Sequence, residues 1–322
     1  MRAQVEHGRI LRQPRNRVQG WHRSRRGAGA RPAAMPDCPG RFRRNAPMAS
    51  ESRDGIETDF RRRMSYGDYL GLERLLAAQS PLSGQHDEML FIIIHQVQEL
   101  WMKLMNHELD LAVDRLRADD PGPAFKAMAR VSRIQRQMVE AWDVLTTMTP
   151  ADYLAFRDSL GAASGFQSWQ YRLLEFRLGA KDAFMLRPHA HRPEVMAVLQ
   201  PAFDSPSLYD EALRLLARRG LPVPRAVLER DVTQPYEENE GVIAAWRQIY
   251  RDSAGLFDLY ELAEELVDLE DAFRTWRFKH MSTVERIIGH RPGTGGSAGV
   301  GYLKAALERK FFPELWSVRT FL

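Results

Sequence analysis

Apolar residues recur at steps of three and four along most of the chain beyond residue 60, which is the spacing of one face of an α-helix. This pattern predicts two long helices, over 87–116 and 124–147, and a third that ends at Gly289. Shorter helices are predicted over 66–77, 150–160, 167–178, 207–219 and 242–250. No convincing series of strands and no internal repeat is visible. We therefore expect an all-α helical bundle.

Proline and glycine mark where the helices begin and end. Thr149-Pro150 is a strong helix start, because threonine is a good N-cap and proline fits the first turn. Seven prolines interrupt residues 180–240, and we interpret this stretch as an inserted helical hairpin that lies over the main bundle. Residues 293–301 hold five glycines and are expected to form a loop before a last helix, which ends near Lys310.

His280 lies within the apolar stripe of the third long helix. The residues of this stripe share one helical face: Leu262, Leu266, Leu269, Phe273, Trp276, His280 and Ile287. An imidazole buried there without a partner would cost roughly 1–3 kcal/mol. His280 is therefore either a core histidine bonded to a backbone carbonyl or a ligand to a metal or haem iron. The stripe alone leaves both interpretations open.

His95 presents the same alternatives on a second helix. It ends the apolar run Phe91-Ile92-Ile93-Ile94, which suits a dry pocket with a single directed polar contact. A di-iron bundle would need glutamate three residues before a histidine, and no histidine here has it. A zinc hydrolase would need His-Glu-x-x-His, but His107-Glu108 is followed by leucine at position 111. The metal option that remains is a haem with one axial histidine.

Two further features are candidates for binding a small polar ligand. Tyr153 and Arg157 lie four residues apart on one predicted helix, so their side chains project together. Arg157 is either a solvated surface residue or a fork for a carboxylate. The glycine segment lacks the Gly-Lys-Ser/Thr ending of a phosphate loop, and it follows a helix instead of a strand. Its Thr294 is a candidate to close over a ligand, with a plain linker as the alternative.

The charge is divided unevenly along the chain. Residues 1–50 hold 12 arginines, no lysine and two acids, a net charge of +10, whereas residues 51–322 carry a net charge of −6. We expect 1–50 to be a disordered Arg-rich tail, outside the native protein if translation starts at Met48, and 51–322 to form the folded domain. Because that domain is mildly acidic, its charge does not favour nucleic-acid binding.

Cysteine content and hydropathy indicate the cellular compartment. The only cysteine, Cys38, lies in the tail, so we expect no disulfide framework, no Cys-based zinc site and no Cys-ligated haem. The longest apolar run, residues 89–94, is far too short to span a membrane. We therefore expect a cytoplasmic protein with no membrane partner.

Five segments carry a family resemblance, in this order along the chain: MSYGDYL (64–70), HDEMLFIIIHQ (86–96), SGFQS (164–168), WRFKHM (276–281) and GTGGS (293–297). They lie in a region of roughly residues 64–316, which leaves out only the tail. Together they resemble the tryptophan 2,3-dioxygenase family of haem enzymes. The resemblance implies a bundle that encloses haem b and a reaction that inserts both atoms of O2 across the indole 2,3 bond of L-tryptophan, giving N-formylkynurenine.

The resemblance also implies roles for individual residues. His280 would be the proximal ligand of an iron that is ferrous in the active state, and His95 the catalytic distal histidine beside the indole. The implied substrate-binding residues are Phe91, Ile92, Ile93, Ile94, His95, Tyr153, Arg157, Thr294, Tyr66 and Tyr69. Of these, Tyr66 and Tyr69 would reach the site of a neighbouring subunit, which implies a homotetramer.

Two other functions stay open at this point. The first is a relative that oxidises another indole or aromatic amine, although Arg157 argues against substrates without a carboxylate. The second is a haem-dependent sensor or a helical DNA-binding regulator that uses the basic tail. Turnover of indole and tryptamine tests the first, and deletion of residues 1–47 tests the second.

Overall fold

The computed structural model describes residues 56–322, and every regular element within them is a helix. Thirteen α-helices follow one another: α1 (Tyr66–Leu70), α2 (Leu72–Leu76), α3 (His86–Arg117), α4 (Pro121–Leu145), α5 (Pro150–Arg157), α6 (Trp169–Leu178), α7 (Pro193–Asp204), α8 (Leu208–Arg218), α9 (Arg225–Leu228), α10 (Glu240–Arg251), α11 (Phe257–Ile288), α12 (Val300–Leu307) and α13 (Pro313–Ser317). Short 3-10 turns occupy Asp158–Leu160, Gly165–Gln167, Ala183–His189 and Val318–Phe321. The expected all-α fold is confirmed, whereas the predicted tail lies outside the described residues.

Three long helices form the centre of the fold. The thirteen described helices belong to one compact unit, Ser65–Leu322. Within it, α4 packs along both α3 and α11, and fully buried side chains such as Leu109, Met128 and Leu266 fill these interfaces. Every helix described in residues 56–322 is too short or too polar to cross a lipid bilayer.

The helix boundaries follow local chemistry. α5 begins with the predicted cap: the Thr149 hydroxyl accepts from the backbone N–H of Asp152, whose carboxylate accepts in return from the N–H of Thr149. The segment predicted over 66–77 is two short helices instead of one, because Gly71 between them adopts φ +62°. α4 begins at Pro121, three residues before the predicted start, since prolines are tolerated in a first helical turn.

A chain of buried hydrogen bonds fixes the three central helices against each other. The indole N–H of Trp276 on α11 donates to Gln98 Oε1 on α3 at 3.1 Å. The Gln98 amide in turn donates to the carbonyl of Met138 on α4 at 2.8 Å. Because all three residues are buried, breaking either bond would leave an unpaired polar atom. The register of α11 relative to α3 and α4 is thereby set one turn before His280.

Arg277 anchors α11 from another side. Its guanidinium is 3% exposed, donates to the hydroxyl of Tyr171 at 3.2 Å and to the carbonyl of Arg309 at 3.1 Å. Glu175, also buried, lies 3.5 Å from it and supplies the opposite charge. A buried guanidinium is tolerated only with such partners, so α11 is held to α6 and to the C-terminal segment three residues before His280.

Candidate active site

His280 lies on α11 between two tryptophan rings. Its ring centroid is 4.8 Å from that of Trp142, with planes inclined by 12°, and 5.4 Å from that of Trp276, at 29°. Its imidazole takes part in no hydrogen bond among the described residues, so none of their backbone carbonyls satisfies it. Burial, with the nearby His95 as a second cause, lowers the pKa of His280 to about 4. The ring is therefore neutral at pH 7 and keeps a nitrogen lone pair.

His95 projects from α3 with a defined tautomer. Its Nδ1 lies 2.7 Å from the carbonyl oxygen of Phe91. Because a carbonyl only accepts, Nδ1 must carry the proton, and Nε2 is left as an acceptor. Burial lowers the pKa of His95, a shift that the hydrogen bond to Phe91 partly opposes. The site thus presents a neutral imidazole with its lone pair on Nε2.

A continuous row of aromatic rings joins the two histidines to α5. The indole of Trp142 lies edge-on to His95 at 5.9 Å, and the His95 ring lies 4.1 Å from Phe91. Phe91 then meets Tyr153 at 5.9 Å. Side chains from α3, α4, α5 and α11 therefore converge. The row contains four predicted site residues, His280, His95, Phe91 and Tyr153, and also Trp142, which was not predicted.

Arg157 provides the polar end of this row. One guanidinium nitrogen, Nη2, donates to the carbonyl of Pro292 at 2.9 Å. Its Nε is buried and meets no acceptor among the described residues. Tyr153 lies one turn before Arg157 on α5. Burial raises the pKa of Tyr153, and the positive charge of Arg157 opposes that rise. A carboxylate ligand would satisfy the unpaired donor.

The glycine segment carrying Thr294 rests against the loop that follows α5. The Thr294 hydroxyl donates to the carbonyl of Ala163. A Cβ atom added to Gly295 would lie 2.7 Å from the Cβ of Ser164, closer than side chains approach each other. The two loops therefore touch, and together with the Arg157–Pro292 bond they bring Thr294 to the same side of the fold as Arg157.

The predicted isoleucines of α3 and the predicted tyrosines of α1 differ in burial. Ile94 is buried, but Ile93 is 42% exposed and lies two residues from His95, on the opposite side of α3. Tyr66 and Tyr69 on α1 are 75% and 76% exposed. The roles assigned to Ile92 and Ile93 and to the two tyrosines stay predictions.

Sequence reasoning missed Trp142, which touches both histidines. It continues the apolar stripe of α4 between Met138 and Leu145, so its spacing is that of an ordinary core residue. Its contacts become visible only when α3, α4 and α11 are packed together. No signal within the α4 segment separates it from its neighbours in the stripe.

The donor set distinguishes between kinds of metal centre. Among residues 56–322, no group of three or more His, Cys, Asp or Glu side chains is placed to hold a metal ion. A metal bound by side chains alone therefore does not fit this site. A porphyrin carries four nitrogen ligands of its own and takes one imidazole from the protein, which matches an unpaired His280 among aromatic rings.

Comparison with known proteins decides the family. The model of the family described as tryptophan 2,3-dioxygenase matches residues 51–322. The chain belongs to the tryptophan 2,3-dioxygenase family. This family consists of haem enzymes, in agreement with the donor set.

Several tryptophan 2,3-dioxygenases are similar along most of their length. The protein of that name from Polaromonas sp. strain JS666 is 58% identical over 291 residues, covering 90% of this chain and 98% of its own. The one from Polaromonas naphthalenivorans is 60% identical over 264 residues, 82% of this chain and 94% of its own. The one from Bacillus anthracis is 55% identical over 266 residues, 83% and 95% respectively.

Proposed function

We propose that this chain oxygenates L-tryptophan to N-formylkynurenine in the pocket formed by His95, Phe91, Tyr153 and Arg157. As a member of its family the chain is a tryptophan 2,3-dioxygenase. The assignment of the reaction to this pocket is supported by one observation above all: the row of aromatic rings that runs from His280, the candidate iron ligand, to Arg157, the candidate carboxylate fork.

His280 is the residue that would hold the iron of a haem b enclosed by the bundle. Its ring is neutral, unpaired among the described residues and flanked by Trp142 and Trp276. When bound, the haem would supply the ferrous-iron chemistry that a reaction with O2 requires. The remaining work falls to the protein: it holds the substrate, orients it and keeps water away.

His95 orients the indole through a hydrogen bond. Its Nδ1–H is donated to Phe91, so Nε2 is the ring nitrogen that is left as an acceptor. The indole N–H of tryptophan is a donor without acceptor capacity, which makes the two groups complementary. Phe91, whose ring lies 4.1 Å from that of His95, supplies an apolar wall for the indole. No proton needs to leave the indole for this role.

Arg157 and Thr294 bind the amino-acid end of the substrate. The buried, unpaired Nε of Arg157 offers a donor to the carboxylate, and the phenol of Tyr153 lies beside it. Thr294 carries a hydroxyl and a backbone amide on a loop that already contacts residues 163–164. These groups hold the substrate at the end away from the indole. They therefore orient the substrate and take no part in the oxygenation itself.

Tyr66 and Tyr69 are proposed to complete the site of a neighbouring subunit in a homotetramer. The capping box of Ser65 and Asp68 holds α1 in shape, yet both tyrosines are about three-quarters exposed. Leu70 and Leu76 nearby are also exposed, at 43% and 71%. A surface of this kind, apolar and unpaired on the isolated chain, is typical of a contact between subunits.

Mixed oligomers test that arrangement. The Tyr66→Ala/Tyr69→Ala variant and the His95→Ala variant are each expected to have low activity alone. If the tyrosines act on a neighbouring subunit, co-assembly places intact tyrosines beside an intact His95, and activity returns. Co-assembled variants that stay as inactive as the two parents would contradict the role in trans.

Isotope labelling tests the reaction itself. The haem-loaded, reduced protein is incubated with L-tryptophan under 18O2, and the product is analysed by mass spectrometry. N-formylkynurenine with two heavy oxygen atoms is expected, because both atoms of one O2 enter the product. A product that carries one heavy atom, or turnover of tryptamine and indole equal to that of tryptophan, would contradict the proposal.

A further inference from the structure

One tryptophan touches both histidines of the site. Trp142 on α4 is 3% exposed, and its indole is stacked on the His280 ring at 4.8 Å with only 12° between the planes. The same indole lies edge-on to the His95 ring at 5.9 Å, with planes inclined by 74°. Trp142 is therefore the side chain through which the imidazoles of α3 and α11 make contact.

The second tryptophan beside His280 is held differently. Trp276 lies 5.4 Å from His280, but its ring is more inclined, at 29°, and its N–H is bonded to Gln98. The N–H of Trp142 is buried and meets no acceptor among the described residues. Buried donors without partners are rare in folded proteins. Trp142 is thus placed by the packing of its ring, and not by a hydrogen bond to the described residues.

We propose that Trp142 is a positioning residue that sets the orientation of the His280 imidazole by stacking on it. A nearly parallel ring at this distance hinders rotation of the imidazole about its Cβ–Cγ bond. Groups that surround a metal ligand fix its orientation and thereby tune the metal. The inference rests on the proposed function, since it concerns His280 as the iron ligand.

The edge contact with His95 gives this residue a second consequence. Because the Trp142 ring contacts both His280 and His95, a shift of this ring changes the surroundings of both histidines. Trp142 is therefore expected to couple the two sides of the site, so that a substitution changes both the iron–imidazole bond and the binding of tryptophan. A residue that served only to fill the core would lower stability without either change.

Three haem-loaded, full-length variants test this. Trp142→Leu removes the aromatic ring, Trp142→Phe keeps a ring that can stack but lacks the N–H, and Trp246→Leu is the matched control. Trp246 is a fully buried tryptophan whose N–H is bonded to Tyr209, and it has no ring contact with either histidine among the described residues. Resonance Raman spectra of the reduced proteins report the iron–histidine stretching band, and transfer to apomyoglobin reports the rate of haem loss.

Trp142→Leu is expected to shift and broaden the iron–histidine band and to speed haem loss roughly 10–100-fold. Trp142→Phe should stay close to the wild type in both measurements, and Trp246→Leu should lower the melting temperature while leaving the band in place. The inference is overturned by a wild-type band in Trp142→Leu, by equal shifts in the Phe and Leu variants, or by the same shift in Trp246→Leu. A wild-type protein that binds no haem would instead refute the proposed function, and this inference with it.

Discussion

The Nδ1 atom of His95 lies 2.7 Å from the carbonyl oxygen of Phe91, one helical turn earlier in α3. This bond is local to a single helix, yet it decides which nitrogen of the imidazole is left to accept a hydrogen bond. An acceptor at Nε2 is complementary to an indole N–H and to no other part of the indole ring. Under the proposed function, this acceptor would hold the substrate in one orientation.

A tryptophan analogue without the N–H tests this acceptor. In the benzofuran analogue an oxygen atom replaces the N–H with little change in shape, so two acceptors face each other across the pocket. It is expected to bind roughly 10-fold or more weakly than tryptophan, because the buried acceptor is left unpaired. Equilibrium titration of the wild type and of His95→Ala gives the comparison.

The variant supplies the control for that measurement. In His95→Ala the acceptor is gone, so tryptophan and its benzofuran analogue should bind with nearly equal affinity. A preference for tryptophan that persists at full size in His95→Ala would show that another group accepts from the indole.

The pH dependence of activity follows from the same residue. Burial lowers the pKa of His95 below its usual value of 6.5, so Nε2 keeps its lone pair as the pH falls through 6.5. Protonation, which happens only at lower pH, fills that lone pair and removes the acceptor. The kcat/KM for tryptophan should therefore stay level through pH 6.5 and decline below it.

His95→Ala should lack this decline, because the group that titrates is absent. The profile is measured as kcat/KM from pH 5 upward, which reports groups of the free enzyme. A decline centred above pH 6.5 in the wild type, or an unchanged decline in His95→Ala, would rule out His95 as the titrating group.

Individual residues show which features of the structure can be predicted from the sequence alone. The cap at Thr149 and the helical stripe that carries His280 depend on spacing within one segment, and both are found in the structure. The bond from Arg157 to Pro292 and the stacking of Trp142 on His280 each join residues more than 100 positions apart. Periodicity gives the inward face of a helix but not the residue it meets, so those contacts were beyond prediction.

The family resemblance predicts roles for individual residues, which periodicity does not, but it does so only at positions within its motifs. His95 and His280 lie in two of those segments, and the structure brings both to one row of rings. Trp142 lies in none of them, so the resemblance does not predict its contacts. The exposed Tyr66 and Tyr69 show a different limit, because their proposed role depends on a second chain, which the structure of one chain cannot test.

Arg157 is expected to favour substrates that carry a carboxylate over substrates that lack one. Arg157→Ala should lower kcat/KM for tryptophan about 10–100-fold, through loss of a charge-assisted contact. Tryptamine, which has no carboxylate, serves as the internal control and should be affected little. Equal losses for both substrates would mean that Arg157 acts through its bond to Pro292, and not by binding substrate.

The contact between the two loops is tested at Gly295. A Cβ there would lie 2.7 Å from that of Ser164, so Gly295→Ala should push the Thr294 loop away and raise KM for tryptophan. Gly165→Ala is the matched control, because a Cβ at Gly165 meets no atom within 4 Å. Steady-state kinetics of both variants provides the test, and an unchanged KM in Gly295→Ala would show that the loop position does not matter for binding.

The central claim is that His280 holds the haem, and a haem titration of three proteins tests it most directly. The wild type and His290→Ala, which alters a histidine with an 84% exposed side chain, should each bind one haem per chain. His280→Ala should fold, as judged by its helical circular dichroism, and fail to retain haem on gel filtration. Retention of haem by His280→Ala as tight as that of the wild type would contradict the account.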